Sequence, residues 1–104
     1  MKKIIFLPLA EQEMNEAAIF YETHSRGLGR VFLSAIKRET DDITHKPRAY
    51  PVQRKGIRRK LVRRFPYAIL YSEEEEQIVV IAVMHLHRAP DYWRHRVSEP
   101  FENG

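Results

Sequence analysis

His85, His87 and Arg88 end the longest apolar run of the chain, and their types and spacing could do chemistry. Imidazoles at i and i+2 of a strand share a face. Such a pair can contribute to a metal site, although no third ligand stands nearby in the sequence. One of the two can serve as a general acid, because histidine titrates near neutral pH. Both can equally be strand-end residues bonded to the backbone. The spacing leaves these readings open, and no metal or cofactor is expected.

A second chemical group lies upstream. Residues 46–64 hold nine Lys or Arg and no acid, whereas residues 1–30 are balanced, with four bases and four acids. Charge concentrated on one segment suggests an anionic partner. Arg58, Arg59, Lys60, Arg63 and Arg64 fall on a strand-like stretch, and arginine forks match phosphate geometry. Facing His85, His87 and Arg88, with Tyr71, Tyr92 and Trp93 beside them, they would form a cationic patch with stacking surfaces. Such a patch suits phosphate contact and base stacking. It suits an acidic protein surface equally well. The sequence has no glycine-rich phosphate loop, no His-Glu-x-x-His and no Ser/His/Asp set that spacing supports.

The elements that must position these groups are short. Residues 3–7 read as a strand ended by Pro8. Ala10, Met14, Ala17, Ala18 and Tyr21 form one apolar stripe of a helix over residues 9–23. Two glycines in residues 24–29 break that helix. Leu28, Phe32, Ala35, Ile36 and Ile43 mark a second helix over residues 28–44, closed before Pro47. Residues 47–55 read as a loop. Strands follow at residues 57–64, 67–71 and 77–86, broken by Phe65-Pro66 and by the acidic run Glu73 to Glu76. In the last strand Ile78, Val80, Ala82 and Met84 would share one face, and Val79, Ile81 and Val83 the other. A strand apolar on both faces needs cover on both. A helical hairpin covers one. The C-terminal segment or another protein must cover the second.

The fold class is therefore α+β, in the order β-α-α-β-β-β, with a helical hairpin packed on one face of a small, twisted, mainly antiparallel sheet. A chain of 104 residues, 43% of them apolar, makes one domain. That domain is expected over residues 1–97, with residues 98–104 a loosely ordered tail. No cysteine is present, so no disulfide framework forms. The N-terminal apolar run stops at Pro8, too early for a signal peptide, and no stretch reaches the roughly 20 apolar residues of a membrane span. The expected compartment is the cytoplasm, with no membrane partner.

The element order, the segment Arg63-Arg64-Phe65-Pro66-Tyr67-Ala68-Ile69-Leu70-Tyr71, and the run from Val79 through His85, His87, Arg88 and Asp91 to Trp93 resemble the RelE/ParE superfamily of toxins from bacterial type II toxin–antitoxin systems, also known as plasmid stabilisation or addiction modules. The resemblance covers residues 3–96. It implies a growth-inhibiting toxin neutralised by a cognate antitoxin in a hetero-oligomer. It also implies one of two targets. ParE-like members act on DNA gyrase and have no established catalytic site. RelE-like members enter the ribosome and cleave mRNA, using basic residues with a terminal tyrosine or histidine. The resemblance maps Lys60 and Arg63 onto the family's basic strand, and His85, His87, Arg88 and Tyr92 onto its C-terminal functional region. These six are the candidate catalytic or target-binding residues. RelE-like sequences often carry an arginine where this chain has Ala68, and that departure favours the ParE-like reading. A non-toxic nucleic-acid-binding module is the remaining alternative.

Overall fold

A computed structural model of the protein describes residues 1–97. Strand β1 (Lys3–Phe6) leads into helices α1 (Pro8–His24) and α2 (Leu28–His45), and then into strands β2 (Val52–Arg54), β3 (Ile57–Leu61), β4 (Tyr67–Glu73) and β5 (Gln77–His85). A short 3-10 turn follows at Arg94–Arg96. The sheet order is β1-β5-β4-β3-β2. β1 runs parallel to β5, and the other pairs are antiparallel. The expected α+β class, with a helical hairpin on one sheet face, is what forms. Among the described residues no helix is long and apolar enough to cross a membrane. The expected tail, residues 98–104, lies outside the described residues.

The hairpin is tight because glycines stand at the end of its Ser25-Arg26-Gly27 turn and in the first turn of α2. Gly27 sits at φ 88°, a left-handed conformation that costs glycine little. Gly29 lets the helices meet: a Cβ there would stand 2.5 Å from the Ala18 carbonyl oxygen. Glu22 of α1 then accepts hydrogen bonds from the Gly27 and Gly29 amides, which fills the open N-terminus of α2. Those bonds hold the Glu22 carboxyl below its usual pKa range.

Three sequence expectations change. Residues 52–54, expected as loop, form the edge strand β2. The strand has three residues and follows Pro51, so it has no periodicity to read, and an edge position tolerates the proline. β3 ends at Leu61 and not at residue 64, since Val62 turns inward and Arg64 adopts φ 75°. The alternation of β5 also breaks. Leu70 pairs with Ala82 but Tyr71 with Val80, so Ile81 is an extra, bulged residue. Ile78, Val80 and Val83 consequently join the core under the helices, with Phe32, Ile36, Ile43, Ile69 and Tyr71. Ile81, Ala82 and Met84 join Ile57, Ala68 and Leu70 on the opposite face, where Trp93 covers them.

Candidate functional site

The six candidate residues separate into two places. Lys60 and Arg63 belong to a junction between β3 and α2. Lys60 Nζ donates to Glu39 Oε1 at 2.6 Å, and the Arg63 amide donates to Glu39 Oε2 at 2.8 Å. Glu39 is fully buried and the Lys60 side chain is only 12% exposed, so both charges are spent inside the protein. Burial opposes ionisation of Glu39, but the Arg63 amide and the Lys60 ammonium outweigh it and hold its pKa below the usual value. The Arg63 side chain itself projects outward, 3.9 Å from Asp42.

The expected facing of the basic strand onto the histidines does not occur, because β4 lies between β3 and β5. Arg58 is also used internally, donating to the Tyr50 carbonyl at 2.7 Å. Two of the expected flanking aromatics are core residues. Tyr71 is fully buried, donates to the Pro47 carbonyl at 2.6 Å, and has its pKa pushed up to about 12 by burial. Trp93 is 1% exposed and donates to the Pro90 carbonyl.

His85, His87, Arg88 and Tyr92 do come together. The turn after β5 is tied to the β3–β4 turn by the Leu86 amide, which donates to the Pro66 carbonyl at 2.9 Å. The His87 amide donates to His85 Nδ1 at 3.1 Å, a bond that requires Nδ1 to be unprotonated. The His85 ring stands edge-on to Tyr67 at 5.0 Å and to His87 at 5.1 Å. The Arg88 guanidinium lies 3.9 Å from the centre of the Tyr92 ring, a cation–π stack. Arg88 has no carboxylate partner among the described residues. His85 and Arg88 line an open cleft of about 220 Å³, with Glu13, Glu16, Ala17, Phe20, Tyr67 and Val83. No group of three His, Cys, Asp or Glu among the described residues is placed to hold a metal. The arrangement presents a fixed cation and aromatic walls to an anionic or planar partner.

Two residues that hold this place were not singled out from the sequence. Glu13 of α1 accepts from the Val83 amide at 3.0 Å, from the Tyr92 hydroxyl at 2.5 Å and from both Arg96 terminal nitrogens at 2.9 Å. Arg96 Nη1 also donates to the Ile81 carbonyl at 3.1 Å. β1 pairs with β5 only as far as Val80, with the Leu7 amide adding one more bond there, so Glu13 and Arg96 take over backbone groups that no strand reaches. Burial and the bond to Glu13 push the Tyr92 phenol above its ordinary pKa, and the same carboxylate raises that of Arg96. A sequence signal existed for Glu13, since it stands three residues after Ala10 and four before Ala17, at the margin of the apolar stripe. Arg96 carried no such signal.

A family model for the ParE toxin of type II toxin–antitoxin systems, parDE, matches residues 4–90. The chain belongs to the ParE toxin family. A solved structure described as a chromosomal ParDE toxin–antitoxin system from P. aeruginosa matches the toxin with a TM-score of 0.61. The match covers 84% of this chain and 98% of that one, at 12% sequence identity, a level at which the likeness is one of fold. A comparison with curated protein sequences gives no match. The toxin is thus the growth-inhibiting half of a type II pair, and an antitoxin is its partner.

Proposed function

We propose that this ParE toxin acts in the cytoplasm as a binding poison of DNA gyrase, and that the surface around His87, Arg88 and the His85 cleft meets the target. The cognate antitoxin silences it in a hetero-oligomer, for which Ile19, Phe20 and Leu33 offer exposed apolar side chains on the helical hairpin. One observation carries the preference for binding over mRNA cleavage: the residues a RelE-like cut would draw upon are not free together. Lys60 is committed to buried Glu39, and Ala68 is a fully buried sheet residue where RelE-like sequences carry an arginine. What remains outward is a cationic, aromatic surface suited to recognition.

Induction of the toxin with pulse labelling tests the reading. Expected are inhibited supercoiling and a DNA-damage response, with mRNA left uncut. Early loss of translation with cleaved mRNA would instead establish the ribonuclease alternative. Arg88→Ala should weaken growth arrest while leaving the fold and antitoxin binding intact. Steeply salt-dependent binding to naked nucleic acid without growth arrest would favour the non-toxic module.

A further inference from the structure

The C-terminal segment after β5 is held by two unlike anchors. Trp93 is buried against Ile81, Ala82 and Met84 on the sheet's second face. On the other side, one carboxylate gathers the polar groups: Glu13 accepts Tyr92, Arg96 and the Val83 amide together. Two guanidinium groups approach the Tyr92 ring, Arg88 at 3.9 Å and Arg96 at 5.0 Å from its centre. The Tyr92 hydroxyl is held by Glu13, which anchors the far end of the ring, and the Arg88 fork stacked on that ring is held at the same place. The Arg88 amide donates to the His85 carbonyl at 3.0 Å, but its guanidinium makes no hydrogen bond or ion pair among the described residues. Its position therefore depends on a ring that a helix carboxylate anchors from 79 residues away in sequence.

We propose that Glu13 is a positioning residue for the target-facing surface, acting through Tyr92 to preorganise Arg88 at the mouth of the His85 cleft. The inference rests on the reading that Arg88 meets the target, and it adds what makes Arg88 competent. A long, flexible side chain loses rotamer freedom on binding, and a guanidinium already ordered on a ring loses less. The ligand class is one that a planar, fixed cation recognises: a carboxylate or another oxyanion on the target.

The test uses the full chain, as free toxin and bound to its antitoxin. Glu13→Gln keeps the shape and removes the charge. Tyr92→Phe keeps the ring under Arg88 and removes the hydroxyl. Nitrogen relaxation of the Arg88 Nε–H group reports its order, and emission of Trp93, the sole tryptophan, reports whether the segment stays docked. Expected for both variants are blue, buried Trp93 emission, unchanged antitoxin binding, a mobile Arg88, and about tenfold more toxin needed for half-maximal growth arrest. Glu13→Gln added to Arg88→Ala should have no further effect on arrest. An Arg88 that stays ordered in both variants would overturn the proposal, as would additive losses in the double variant. Where Glu13→Gln exposes Trp93, the Tyr92→Phe result decides between positioning and simple docking. If Arg88→Ala arrests growth like the parent while Arg88 order still follows Glu13, the positioning stands and the target-surface reading falls.

Discussion

Lys60→Met separates a structural lysine from a target-binding one. The substitution keeps a chain of similar length but removes the ammonium from Glu39 Oε1, where it sits at 2.6 Å. Glu39 would keep one bond, from the Arg63 amide, and would otherwise be a buried carboxylate without its cation. Unit charges about 4 Å apart attract by about 4 kcal/mol at an effective dielectric of about 20. Removing one partner of a buried pair costs about 3–5 kcal/mol, since the other charge remains desolvated. Solvent screening trims this little, with side-chain exposures of 12% and 1%. For a domain of this size a loss of that order lowers the melting temperature by roughly 15–20 °C. Thermal unfolding followed by far-UV circular dichroism measures it. Glu39→Leu placed on top of Lys60→Met should restore most of the loss, because the charge is then gone from both sides. A Lys60→Met protein that melts within a few degrees of the parent, yet no longer arrests growth, would refute the assignment and return Lys60 to the target surface.

Gly29→Ala places a methyl group 2.5 Å from a backbone oxygen of α1, so the hairpin must open. A loss of about 1–3 kcal/mol is expected by urea denaturation. Acid should weaken the fold partly through Glu39. Its folded pKa is depressed, so its contribution is fully present above the unfolded carboxylate pKa and is lost as pH falls through the lowered folded value. The urea midpoint should therefore decline as pH falls below the ordinary carboxylate range, and that of Glu39→Gln should decline less steeply.

Periodicity exposed most of the fold, and it failed where the chain departs from ideal geometry. Ala10, Ala17 and Ala18, like Phe32, Ile36 and Ile43, are buried where helical spacing puts them. The bulge at Ile81 could not be read, because every residue from Ile78 to Met84 is apolar and any two-face assignment fits such a run. The candidate site was half legible. His85, His87, Arg88 and Tyr92 are close in sequence, and the turn after β5 keeps them close in space. Lys60 looked like part of a solvent-facing basic strand because its partner, Glu39, is 21 residues away on another element. An acid within the apolar face of α2, between Ile36 and Ile43, was the available hint. Ala68 mattered more than its size suggests: the register opposite Met84 puts it on the covered face of the sheet, which leaves that position no exposed side chain.

The reach of the Glu13 contacts has a consequence for synthesis. The α1–α2 hairpin is made early and is local, so it can form while the rest of the chain is still being translated. Glu13 then waits for Val83, Tyr92 and Arg96, which lie 70, 79 and 83 residues further on. β1 waits similarly for β5, with Lys3 opposite Gln77. A nascent chain stalled before residue 92 has neither its second-face cover nor an ordered cationic surface. The contacts that need the end of the chain are the ones that make the surface proposed to act on the target, so a toxin truncated before residue 92 should arrest growth less than the full chain.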